Sequence, residues 1–328
     1  MSYVGCMSSL SRSSFVWGSV AGAWMPTLSA VAGTGSAVEL TQIARLYSMR
    51  LESVGDKLVL RNRYNRIEFE VNGRRAWVNG VMFWLHEPCR RSGGAWGIRR
   101  EDFERGIDPV LRSYSHAPRR VPRVVVIDPG HGGKDSGAVG PRGAMEKQVV
   151  LDISYRMKRA LEGHNFKVVL TRSGDSYPSL DDRVELAERV RADLFLSIHA
   201  DGAASAKAHG VETFVTTVKG FDSSNHYGEG GDRSGVRNNT FDAANAMLGF
   251  AVQSNLVKLS GRSDRGVRRA RFRVIKQAPC PAALVECGFL TNAEEARLLR
   301  SESYRARVAQ GVVNGVRAYY TLVSRARR

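Results

Sequence analysis

Hydrophobic and polar positions change their rhythm once along the chain, close to residue 120. Before that point the apolar stretches are short. Lys57-Leu58-Val59-Leu60 runs apolar, Ile67–Val71 alternates, and Asn72-Gly73 and Asn79-Gly80 are tight-turn signals. Ile43, Leu46 and Tyr47 predict one short helix ahead of them. Residues 33–118 therefore read as a small β-rich module. A Pro- and Arg-containing stretch, His116–Arg123, closes it, with the basic linker proper at 119–123.

From Val124 onward strands alternate with helices. Val124–Ile127, Val168–Leu170 and Leu194–Ile198 are continuous apolar runs, as in strands buried on both faces. The segment Glu146–Glu162 carries Val149, Val150, Ile153, Met157 and Leu161 on one helical stripe, with Gly163 just past its end. A second helix opens at Ser179, with Asp182 three residues on, and a third covers about 242–259. Two more follow Asn292, with Glu295 placed to box its start, and end near Tyr320. Strands near Val211–Thr216, Phe272–Ile275 and Ala282–Glu286 fit between. The pattern predicts an α/β fold over residues 124–322: a three-layer domain with a largely parallel mixed sheet flanked by helices, preceded by the β-rich module. A basic tail, 323–328, ends the chain.

Composition narrows the class. The chain has 328 residues, 43% hydrophobic and 25% charged, which excludes collagen-like, disordered and disulfide-scaffold proteins. Lys plus Arg number 49 against 32 Asp plus Glu, a formal charge of +17, so a polyanionic neighbour is expected. Residues 1–32 read as a signal peptide: Arg12, an apolar run from Phe15 to Gly33, and the small-x-small triplet Ala30-Val31-Ala32. Export to the periplasm or cell envelope is the expectation. Cys6 has no apolar run before it and does not suit a lipoprotein. Cys89, Cys280 and Cys287 read as buried and unpaired, because Cys280 and Cys287 bracket one extended strand.

In open α/β sheets, ligands bind beyond the carboxyl ends of the strands. Three such ends carry chemistry: Val124–Ile127 runs into Asp128-Pro129-Gly130-His131-Gly132-Gly133, Leu194–Ile198 into His199-Ala200-Asp201, and Ala283–Val285 into Glu286. Glu146 opens the helix after the glycine-rich loop. Two imidazoles and a carboxylate suit a catalytic zinc with one position left open, and a further carboxylate can act as general base. Each residue also has an ordinary reading: a structural histidine at a strand end, a helix-dipole partner in Glu146, an arginine partner in Glu286.

The motifs themselves resemble a known family. Val125–Ala138, Glu146-Lys147, Leu170-Thr171-Arg172, Ser197–Asp201, Gly210–Thr213 and Leu284–Asn292 are similar, in order, to those of zinc-dependent N-acetylmuramoyl-L-alanine amidases. The resemblance implies His131, Glu146 and His199 as ligands of one zinc ion and Glu286 as the catalytic glutamate. It implies hydrolysis of the amide joining the lactyl group of N-acetylmuramic acid to L-alanine of the stem peptide. Asp128 or Asp201 is expected to orient a metal-ligating histidine. Some relatives carry an inhibitory helix after the second histidine. Here Asp201 is followed too soon by the strand at Val211 for one to be evident, and a polar loop over 219–239 is the candidate gate. The N-terminal module resembles small β domains found ahead of hydrolases in wall-associated proteins.

Peptidoglycan is the partner this implies, with an activating protein a further candidate, peripheral envelope association, and a monomeric chain. Arg262, Arg265, Arg268, Arg269, Arg271 and Arg273 form either a solvated strand face or a patch for envelope polyanions. No nucleic-acid motif accompanies them, so nucleic acid is not an expected partner. His86 and Cys89 read as structural, and His116, His164, His209 and His226 as solvent-facing. The alternatives are a metal hydrolase of another wall amide and an inactive wall-binding protein. An intact set of His131, Glu146, His199 and Glu286 argues against the second.

Overall fold

A computed structural model describes residues 36–224 and 231–327. The signal peptide, Cys6 and His226 lie outside the described residues.

The first part of the chain holds β1 (Ala37–Glu39), α1 (Leu40–Leu46), β2 (Arg50–Val54), β3 (Lys57–Arg61), β4 (Arg66–Glu70), β5 (Arg75–Val78), β6 (Val81–Trp84), β7 (Arg90–Ser92) and β8 (Ala95–Arg99). Strands β2 to β6 form an antiparallel meander, and β1, β8 and β7 a small sheet beside it. The module is less purely β than its sequence reads. Residues 100–116 are helical: α2 (Arg100–Asp102), a π-helical turn at Phe103–Ile107, α3 (Asp108–Leu111) and α4 (Ser113–His116). Their polar sequence conceals Phe103, Ile107 and Val110, which enter the core. They also conceal a buried acid. Burial raises the Asp108 carboxyl, but bonds from His116, Arg112 and Tyr47 outweigh it and hold the pKa at about 2. His116 therefore does not face solvent freely; its Nε2 lies 2.7 Å from Asp108.

The second part runs β9 (Val124–Pro129), β10 (Val139–Gly140), β11 (Ala144–Met145), α5 (Glu146–Glu162), β12 (Lys167–Leu170), α6 (Leu180–Arg189), β13 (Leu194–His199) and β14 (Val211–Thr216). It then continues with α7 (Asp242–Ser260), β15 (Asp264–Ala270), α8 (Arg273–Lys276), β16 (Ala282–Glu286), α9 (Ala293–Arg300) and α10 (Glu302–Arg325). One face of the sheet packs on α5, α7 and α10, the other on α6 and α8, so the domain has three layers. Strands β12, β9, β13 and β16 are parallel, and β14 pairs with β16 antiparallel. β15 is parallel to β14, and β6 joins it through Val267 and Phe83. The result is one sheet of eleven strands, ordered β12-β9-β13-β16-β14-β15-β6-β5-β4-β3-β2.

Three sequence expectations change. The strand expected at Phe272–Ile275 is helix α8, and the strand is β15, just before it. The alternating arginines mimic a strand, yet the chain turns at Arg271, and Val274 and Ile275 both go inward. The last helix continues through the tail region to Arg325 rather than ending near Tyr320. Glu295 does not close a capping box. Asn292 caps α9 alone, while the Glu295 carboxylate accepts from Gly210 and Phe289 N–H at 2.8 Å each. Cys89, Cys280 and Cys287 are buried and free, with the Cys89 thiol pushed up to about 12 by burial.

Candidate metal centre

The strand order brings the ends of β9, β13 and β16 together with the start of β14. The β10–β11 hairpin then delivers the first residue of α5 to the same edge. Glu146 is the focus. Its Oε1 lies 3.1 Å from His131 Nε2 and 3.0 Å from His199 Nδ1, and it accepts from Ala200 N–H at 3.0 Å. Its Oε2 accepts from Ala138 N–H at 2.9 Å. Burial would raise this carboxyl, but hydrogen bonds and charge from both imidazoles carry it far below the usual carboxylate range. Burial lowers the His131 pKa, and Glu146 and Asp135 more than reverse that.

Ligand atoms of His131, Glu146 and His199 all lie within 4.8 Å of one another. Two imidazole nitrogens and one carboxylate oxygen form the donor set of a three-ligand zinc site. The surrounding loop leaves space for it. Gly137, at φ +64°, could not carry a side chain without meeting Glu146 and His131, and a Cβ on Gly130 would run into the His199 ring. The residues therefore fit a divalent ion.

Each histidine is aimed from behind. His131 Nδ1 is 2.8 Å from Asp135 Oδ2, four residues further on. His199 Nε2 is 3.2 Å from Ser197 Oγ, which donates to Asp128 at 2.7 Å. Asp128 thus does not hold a histidine itself, because Thr171, Arg183 and Ser197 take its oxygens. Among the described residues, no hydrogen bond joins the Asp201 side chain to either imidazole. Its carboxyl is pushed up to about 6, first by burial and then by the charge of Glu212. Asp135 is the orienting acid that sequence reasoning passed over; its i+4 spacing from His131 was the available signal. The loop is further stapled by Arg172, which donates to the Pro129 and Gly130 carbonyls, and by Arg183, which donates to those of Pro129 and His131.

Glu286 is the register partner of His199 on one side and of Glu212 on the other. It is 7% exposed, and among the described residues its Oε2 has no hydrogen-bond partner. Burial, then the charges of Asp201, Glu146 and Glu212, raise its pKa well above the usual carboxylate range. Glu212 is neutralised by Arg265 at 3.0 Å and Arg268 at 2.9 Å. Those two arginines belong to the run that read as a surface patch. The run is largely consumed internally: Arg262 binds Glu294 and Glu295, Arg269 the Arg105 carbonyl, Arg271 those of Phe221 and Ser234, and Arg273 binds Asp181. The described part of loop 219–239 does not adjoin the site. It leaves β14 at its far end, and Phe221 stacks on His86 at 4.3 Å. His86 itself is locked to Asp102.

Residues 125–318 match the N-acetylmuramoyl-L-alanine amidase family. The chain is 36% identical over 220 residues to N-acetylmuramoyl-L-alanine amidase AmiA of Escherichia coli, covering 60% of this chain and 76% of that one. The solved catalytic domain of the amidase CwlV from Paenibacillus polymyxa superposes with a TM-score of 0.52 at 34% identity, over 61% of this chain and 99% of that one. The CwlD amidase of Clostridioides difficile, solved in complex with the GerS lipoprotein, matches with a TM-score of 0.51 at 26% identity, over 61% of this chain and 98% of that one. With a three-layer fold, a His-Glu-His cluster at its strand ends and a match over more than half its length, the chain belongs to the N-acetylmuramoyl-L-alanine amidase family.

Proposed function

We propose that the chain cuts the amide between N-acetylmuramic acid and L-alanine of peptidoglycan, with His131, Glu146 and His199 holding one zinc ion and Glu286 moving the proton. Zinc, when bound, supplies a positive charge that polarises the scissile carbonyl and makes water easier to deprotonate. The unpartnered, buried oxygen of Glu286 beside His199 is the observation that carries this reading. With one oxygen left open, the Glu286 carboxylate is placed to take a proton from water and return it to the departing amine. Asp135 and the Ser197–Asp128 pair hold the imidazoles in orientation. Arg172 and Arg183 keep the His131 loop from drifting by gripping its carbonyls.

Export to the cell envelope belongs to the same reading and rests on Arg12, the Phe15–Gly33 run and Ala30-Val31-Ala32. No helix among the described residues is long and apolar enough to cross a membrane. Residues 124–322 form the catalytic unit in this reading. A protein partner is inferred from the likeness to CwlD, which was solved in complex with the GerS lipoprotein.

The test is digestion of purified peptidoglycan by zinc-loaded protein beside Glu286→Ala, with mass spectrometry of the products. Wild type is expected to release free L-alanine amino termini and peptide-free muramic acid, and the variant to be slower by about 10²- to 10⁴-fold. Zinc binding accompanied by release of other chemical ends would overturn the substrate assignment.

A further inference from the structure

We propose that the edge of the sheet opposite the catalytic residues is a docking surface for an anionic lipid bilayer. The chain carries +17, and with the Arg262–Arg273 run turned largely inward the surplus must be displayed elsewhere. At the far edge the starts of β12, β9 and β13 lie side by side. Arg123 precedes β9, and its carbonyl accepts from Lys167, the first residue of β12, at 2.9 Å. Arg120 meets Asp193, just before β13, at 2.7 Å and stays 66% exposed. The end of α10 closes the same edge: Arg327 donates to the Pro118 carbonyl at 3.1 Å, and the Arg123 guanidinium lies 5.3 Å from the Tyr320 ring.

Three segments distant in sequence thus place Arg119, Arg120, Arg123, Lys167, Arg325 and Arg327 on one edge, all exposed. Asp193, the acid among them, is 9% exposed and already accepts from the Arg123 and Val124 N–H groups as well as from Arg120. Arg325 and Arg327 could simply complement the C-terminal end of α10. Arg119, Arg123 and Lys167 end no helix, and none of them forms an ion pair among the described residues. The other end of the molecule has the opposite character, with Asp135, Glu146, Asp201 and Glu286 converging there.

Orientation selects the partner. A surface for the substrate polymer would adjoin the catalytic edge. This one lies one strand length away, about 20 Å for a six-residue strand, and faces the opposite direction. Seated on a negatively charged bilayer, the molecule presents its catalytic edge outward. The orientation argument rests on the function proposed above; the binding itself does not.

The experiment is co-sedimentation of the full chain with vesicles of phosphatidylcholine, with and without phosphatidylglycerol, at low and raised salt. Binding is expected only with phosphatidylglycerol and is expected to weaken with salt. Attachment through the apolar run 15–33 would instead occur on both vesicles. Arg119→Glu/Arg123→Glu/Lys167→Glu should lower partitioning roughly 100-fold. Arg119→Lys/Arg123→Lys should retain binding, and a dispersed reversal, Arg45→Glu/Arg50→Glu/Arg297→Glu, should cost far less than the clustered one. Equal binding by the clustered and dispersed variants would overturn the proposal. So would binding to soluble anionic wall polymer in preference to the vesicles. Because vesicle binding requires no turnover, failure of the amidase assay leaves this result standing, and the reverse also holds.

Discussion

His131 stands at φ 59°, a left-handed backbone uncommon for any residue other than glycine, and it is kept there by contacts on three sides. Arg183 holds its carbonyl, Asp135 its Nδ1, and Glu146 approaches its Nε2. Asp135 is the most exposed of these supports, with its side chain at 41%, so removing it leaves little buried volume empty. Asp135→Ala is therefore expected to keep the fold and lower zinc affinity about 10- to 100-fold, read by competition against a chromophoric chelator. Unchanged affinity would mean that Arg183 and Glu146 aim the ring without help. The same logic explains why Asp128, prominent in the sequence, acts at one remove. Its strand-end position is right, but three closer donors have claimed its two oxygens.

Elements succeed here where local chemistry and packing agree. Helix α5 begins and ends where its stripe and Gly163 indicate, and Ser179 and Asp182 cap α6 reciprocally. Helix α7 is buried nearly all round, between the sheet and α10. That sandwich demands close approach, and α10 meets it with Gly311 and Gly315, one turn apart on the face toward α7. A Cβ on Gly315 would lie 2.5 Å from Val252 Cα and 2.8 Å from the Ala251 carbonyl oxygen. Both are backbone atoms and cannot rotate away. Gly315→Ala is expected to cost about 1–3 kcal/mol, visible as a lowered urea midpoint, despite the better helix propensity of alanine. A gain in stability would show that α10 can shift along α7.

On the scale of the molecule, the N-terminal strands extend the catalytic sheet instead of standing apart from it. β6 runs beside β15, where Met82 N–H donates to Asp264 at 2.9 Å, the Trp84 indole donates to the Arg265 carbonyl at 2.9 Å, and Arg268 stacks on Trp84 at 4.8 Å. Arg265 and Arg268 in turn neutralise Glu212, the neighbour of Glu286. Deleting residues 36–118 would expose β15 as an open edge and strip Trp84, one of two aromatic rings, from Arg268. The truncated chain is expected to aggregate, checked by size-exclusion chromatography beside the full chain. A soluble, monomeric and active fragment would show that β15 is a sufficient edge by itself.

Much of this was legible in the sequence, because the parallel strands are continuous apolar runs and the reactive residues sit where those runs stop. His131, Glu146, His199 and Glu286 all follow from that rule, since a strand end or helix start specifies position with only local information. The tertiary structure decided the rest. Whether an arginine faces water or a buried glutamate depends on which strand lies next to it, so Arg265 and Arg268 read as a solvated face, yet both are drawn onto Glu212, Arg268 buried and Arg265 half-buried. The helical character of residues 100–116 depends on a core supplied by α7. The joining of β6 to β15 and the gathering of Arg119, Arg123 and Lys167 on one edge arise from sheet order, which sequence neighbours do not encode.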